Sequence, residues 1–221
     1  KEFLRFSPYG SLFIEDFYEN KQKNFSNPKT PLHYFSNSLA TKNEIAKEKL
    51  LIRGLIESAQ AVVALERLES IKNLDDEILF LKLWAKSLLG ENSYVLKEKD
   101  KIKKLNNEDS FSLSIFVGQS LWLSGKFDEG QEFLENLLKK SENKSQRFRT
   151  LSQLFLLNLN CGECQKAEEI LSKMDEAIDC ENIKENILIN HHRGAIEKSK
   201  NNETMALEYF LKAKDFAKKG G

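Results

Sequence analysis

The sequence predicts an all-helical chain of antiparallel helix pairs stacked in a row. Three observations carry that expectation. The prolines, Pro8, Pro28 and Pro31, all precede residue 32, so the rest of the chain lacks the residue that most often breaks a helix. Apolar residues beyond Lys42 recur at three- and four-residue spacing, as in Ile45, Leu50, Leu51, Leu55, Ile56 and then Val62, Val63, Leu65, Leu68. Four apolar, helix-length stretches end in Gly90, Gly125, Gly162 and Asn201. These residue types close a helix in the left-handed conformation.

Composition bounds the function. The 221 residues carry 34 basic and 34 acidic side chains and are 40% hydrophobic. A chain of zero net charge has no long-range field for nucleic acid or an anionic membrane. The lysine run from Lys97 to Lys104 is interleaved with Glu98 and Asp100 and reads as a solvated helix face. No apolar run has the length of a membrane span. The first residue is Lys1, which is compatible with a leader or lipid anchor removed upstream.

The four turn residues are 35, 37 and 39 apart by subtraction, the period of helix–turn–helix repeats. Five residues after each comes a small or apolar residue, Val95, Gly130, Ala167 and Met205 or Ala206, which lets two helices approach closely. The clearest copy runs from Gly118 through Trp122, Gly125 and Phe127 to Gly130. Cys161 to Ala167 repeats its turn, and Ala206 to Ala213 repeats its second helix. Over roughly Asp76 to Lys219 this pattern resembles the tetratricopeptide repeat family, without the proline that often closes the family's repeat. The resemblance implies a right-handed α–α superhelix over 43–219, with hairpins at about 43–72, 76–105, 110–141, 146–175 and 183–218. The first of these is either one bent helix or a hairpin breaking near Ser58-Ala59-Gln60. Residues 1–42 form a separate aromatic segment, with Phe3, Phe6, Tyr9, Phe13, Phe17, Tyr18, Phe25, Tyr34 and Phe35. So many rings imply burial, against the repeats or against a partner.

In the family, the first helix of each repeat lines the concave surface. The resemblance therefore places Phe80 and Trp84, then Ile115, Gln119 and Trp122, then Ser152, Leu156 and Leu159, then His191, Ala195 and Lys198 on that face. Of these, Phe80, Trp84, Ile115, Gln119, Trp122, Leu156, His191 and Lys198 are the candidate partner-binding residues. The two tryptophans would anchor a partner's segment, and the competing reading makes the rings plain core or a groove filled by the protein's own N-terminus. The face lacks the Lys, Asn and Arg that the family uses to clamp C-terminal carboxylates.

Catalytic and metal motifs lose to simpler readings. Cys161-x-x-Cys164 straddles a repeat turn and is read as a packing pair, with a disulfide or half a zinc site as alternatives. His191 and His192 are adjacent, so on a helix they point about 100° apart; one is expected at the surface and one half-buried. Gly118-Gln119-Ser120 lacks the second glycine of a serine elbow. Acids such as Asp75, Asp76 and Glu77 fall at helix starts, where they cap. The expectation is a protein that is not an enzyme and has no cofactor, a scaffold or adaptor for a protein partner. The alternatives are a ligand- or peptide-sensing regulatory domain and a zinc-binding or enzyme-accessory helical protein. A looser resemblance, to repeat scaffolds of the spirochaete-type bacterial cell envelope, implies a periplasmic setting, with the cytoplasm as the alternative.

Overall fold

A computed structural model describes residues 31–71, 75–102 and 107–219. Among them are twelve helices and no strand. They divide into two compact units at Glu91/Asn92.

The first unit holds α1 (Pro31–Ala40), α2 (Glu44–Glu57), α3 (Ala61–Ser70) and α4 (Asp76–Leu88). Helix α1 packs on α2, and α2, α3 and α4 pack on one another. Ile52, Leu55, Ala64, Leu68, Ile78, Leu81 and Leu83 are its interior. Burying one such leucine or isoleucine contributes about 2 kcal/mol. Tyr34 and Phe35 on α1 lie against α2: Arg53 sits 5.8 Å from the Tyr34 ring, and a Cβ at Gly54 would fall 2.6 Å from Phe35. These two rings of the aromatic segment therefore pack within the chain. The earlier rings, from Phe3 to Phe25, lie outside the described residues.

The second unit holds α5 (Asn92–Lys97), α6 (Lys99–Ile102), α7 (Asn107–Leu123), α8 (Phe127–Lys139), α9 (Lys144–Asn160), α10 (Cys164–Ala177), α11 (Ile183–Ser199) and α12 (Glu203–Lys219). Helices α7/α8, α9/α10 and α11/α12 pair as neighbours, α8 packs on α9, and α10 packs on α11. One core cluster joins Phe148, Leu151 and Phe155 to Ala167, Met174, Ile189 and Ile196. Another joins Trp122 and Leu134 to Leu154 and Leu157. The unit boundary falls inside the stretch 76–105 that the sequence reads as one hairpin. Helix α4 packs on α2 and α3, whereas α5 and α6 pack on α7. Of residues 92–102 only Val95 and Ile102 are buried, too short an apolar stripe for one long second helix.

Five turns share one geometry. Ala59, Gly90, Gly125, Gly162 and Asn201 all have positive φ, between 60° and 81°. After each, the next N–H bonds back to the carbonyl five residues earlier, for example Lys126 to Leu121 at 3.0 Å and Asn202 to Glu197 at 2.8 Å. Each left-handed residue's own N–H bonds three residues back, as Gly162 does to Leu159. This is the Schellman closure, which satisfies carbonyls that the helix end leaves free. The break near Ser58-Ala59-Gln60 is thus a fifth turn, built on an alanine.

In all five cases the following helix starts two residues on, and the fifth residue on, Ala64, Val95, Gly130, Ala167 or Ala206, is buried. Met205, the other candidate in the last copy, is 43% exposed. First and second helices begin differently. Asn43, Asp75, Asn143 and Asn182 cap α2, α4, α9 and α11 with side-chain oxygens, whereas α3, α8 and α10 have no side-chain cap. A cap of this kind stabilises by about 1 kcal/mol. The second helices emerge from the turn and take their start from it.

Candidate functional site

In the second unit the first helices α7, α9 and α11 set their candidate residues at matched distances before the turn. Ten before stand Ile115, Ser152 and His191; six before stand Gln119, Leu156 and Ala195; three before stand Trp122, Leu159 and Lys198. Ile115 and Trp122 are interior, at 4% and 8% exposure. Ile115 packs with Phe111 and Leu137. Trp122 and Leu156 meet in one cluster with Leu134 and Leu154. Gln119, Leu156, Leu159 and Ala195 are half-buried, and His191 and Lys198 are exposed. The His191 ring lies 5.5 Å from that of Phe210 on α12.

Phe80 and Trp84 belong to the first unit, with ring centroids 5.6 Å apart. Phe80 is 4% exposed and lies under Arg53 at 5.4 Å. Phe80, Ile115 and Trp122 are therefore interior residues that present little surface, because each points between helices. The two tryptophans stand in different units.

Two residues that the sequence reading passed over extend the stripe of the second unit. Leu123 follows Gln119 by four positions and is 46% exposed; Leu188 precedes His191 by three and is 38% exposed. Residues three or four apart share a helix face, and that spacing was the signal. The accessible part of the stripe is then Gln119, Leu123, Leu156, Leu159, Leu188 and Ala195, with Lys198 at its edge.

One polar pair looks catalytic. Ser152 Oγ lies 2.7 Å from His192 Nε2, and both residues are buried. The imidazole stacks on Phe155, centroids 4.4 Å apart, and its Nδ1 has no hydrogen-bond partner among the described residues. A buried N–H without an acceptor costs more than an unused lone pair. The favoured tautomer leaves Nδ1 bare and puts the proton on Nε2, which donates to Ser152. Burial, then the neighbouring His191, lowers the His192 pKa to about 4. A histidine that donates to the serine, with no acid behind it and no open route to it, does not activate a nucleophile. The pair is a packing link between α9 and α11.

Among the described residues no three His, Cys, Asp or Glu side chains are grouped to hold a metal ion. Cys161 and Cys180 are exposed thiols, and Cys164 is half-buried with Sγ 3.8 Å from Ser199 Oγ. The packing role assigned to Cys161 is thus corrected: the residue just before a left-handed turn points to solvent.

Two concavities among the described residues bear on a site. In the first unit, a groove of about 460 Å³ is lined by Ile45, Ala46 and Leu50, with Lys49 and Glu77 on its rim. Lys49 bridges Asp75 at 2.5 Å and Glu77 at 3.0 Å. In the second, a pocket of about 520 Å³ lies among α7, α8 and the start of α9, walled by Phe111, Phe133 and Leu137 and edged by Ser110, Ser114, Asn136, Lys140, Glu142 and Gln146. Ser114 stands eleven before its turn, where the flanking copies carry Leu79 and Leu151; the smaller side chain leaves the space.

Fold and stripe together define an all-α protein of paired helices with a repeated turn and an exposed apolar face. No described helix is long and apolar enough to cross a membrane. The chain matches no family model, no curated protein and no solved structure.

Proposed function

We propose that this is a tetratricopeptide-like scaffold that binds a protein partner along the inward face of its first helices. The observation that carries the reading is the half-exposed stripe of Leu123, Leu156, Leu159, Leu188 and Ala195, with the polar Gln119 among them, along successive first helices. Gln119, Leu156 and Ala195 share one register position, six before the turn. An apolar face of this kind is poorly used in water and suits an extended segment or an amphipathic helix. The same register supports the superhelical reading: turns, buried small residues and capped first helices recur together.

The test is a pull-down with wild type and a Leu123→Lys/Leu188→Lys variant, with circular dichroism as the control for folding. A folded variant that loses a partner retained by the wild type supports the groove. A folded variant that keeps every partner overturns it.

A second reading, a ligand-sensing domain, is favoured by one observation, the pocket walled by Phe111, Phe133 and Leu137. Its size is within the range of small-molecule sites. A small-molecule screen read by thermal shift, in which Ser114→Leu abolishes the response, would support it.

A further inference from the structure

Helix α12 packs on α11 through Ala206 and Ala213, both buried, and through Phe210, whose ring a Cβ at Gly194 would meet at 2.6 Å. Its flank carries Leu207 and Leu211, 58% and 48% exposed. At the matching positions the two preceding second helices carry Gln131 and Glu135, then Glu168 and Ser172. The register says what that side of a second helix does. In α8 the residue thirteen beyond the turn, Leu138, packs on clusters containing Leu151, Phe155 and Leu154 of the next pair. In α12 that position is Lys214, and Leu207 lies seven residues before it, about 20° away around the helix. That side of α12 therefore presents leucine to solvent where the preceding second helices are polar.

We infer that a second copy of this chain covers that face, with α12 packed antiparallel on its counterpart about a two-fold axis at the level of Tyr209. Charge and spacing single out this occupant. Leu207 and Leu211 are centred on Tyr209, so the axis sets Leu207 of each copy against Leu211 of the other. Glu203 and Lys214 are eleven residues apart, hence also about 20° apart around the helix, on one side of the leucines. Their midpoint falls between Glu208 and Tyr209, half a residue from the leucine midpoint. The same axis therefore brings Glu203 of each copy within one residue's rise of Lys214 of the other, on the same side of the leucines, giving two ion pairs that flank a leucine quartet. Asp215, level with Glu203, lies on the opposite side. Along the helix, Glu203 and Glu208 precede Lys212, Lys214, Lys218 and Lys219, with Asp215 the one acid among the lysines. Antiparallel pairing sets the acidic half against the basic half, as an isologous interface requires; parallel pairing would oppose like charges.

Sedimentation equilibrium of the 221-residue chain tests this. A mass rising with concentration towards twice 25.5 kDa is expected. Leu207→Glu/Leu211→Glu should hold the mass at the monomer value with unchanged helicity. Glu203→Lys alone and Lys214→Glu alone should each raise the dissociation constant about tenfold, and the two together should restore it. A wild type monomeric at all concentrations overturns the inference, as does a dimer that survives the leucine substitutions. A charge swap that fails to restore association overturns the antiparallel pairing even if the leucine variant misfolds.

Discussion

Ser152 on α9 and His192 on α11 share a buried hydrogen bond of 2.7 Å, with the imidazole stacked on Phe155 of α9. The link joins the first helices of successive pairs, as do the bonds from Gln146 and Arg149 on α9 to Glu108 and Ser112 on α7. Its cost is a histidine that the fold admits only in the neutral form.

That cost gives stability a pH dependence. His192 titrates at about 4 in the fold against an ordinary 6.5, so between these values the unfolded chain binds the proton and the fold does not. Stability from this residue is full above pH 6.5 and declines as pH falls towards 4. The difference is on the order of 3 kcal/mol. Urea titrations at pH 7 and pH 4.5 should show a smaller loss for His192→Gln than for the wild type. Equal losses in the two proteins would mean that another group carries the dependence.

The five left-handed turns respond to side chains in opposite directions. Ala59 holds a φ of 60° that a residue with a Cβ adopts at a cost. Ala59→Gly should stabilise the protein by about 1 kcal/mol, and Gly162→Ala, at φ 80°, should destabilise it by a similar amount. Thermal unfolding of the two variants checks the signs; matching signs would contradict the turn geometry.

At Gly130 the backbone of α8 lies close against that of α7. A Cβ there would sit 3.1 Å from the Trp122 backbone nitrogen and 3.3 Å from the Gly118 carbonyl oxygen. Backbone yields less readily than a side chain, so Gly130→Val should cost about 1–3 kcal/mol. Chemical denaturation of the variant reads the loss, and a wild-type midpoint would show that the helices can part there freely.

The thiols differ in access. Cys161 and Cys180 are exposed and Cys164 is half-buried. In native protein an aromatic disulfide reagent should titrate two thiols quickly and the third more slowly. A Cys161 that reacts only after denaturant is added would return it to the interior.

The turn at Gly125 was legible because glycine is the residue that takes a positive φ without strain. Ala59 makes the same turn without a glycine, and there the sequence allows two readings, a break near Ser58-Ala59-Gln60 or a single bent helix. The stripe was legible as spacing on each first helix, but its accessible part was not. Trp122 and Ile115 look like surface anchors in sequence, yet they point between helices, whereas Leu123 and Leu188 reach solvent.

The sequence by itself determined the helices, most of their turns and which faces are apolar, because these follow from neighbours within a few residues along the chain. Only the tertiary structure decided which apolar residues are covered, where the units divide and that His192 meets Ser152. Those depend on which helix lies against which, and contacts between residues forty apart leave no local mark on the chain.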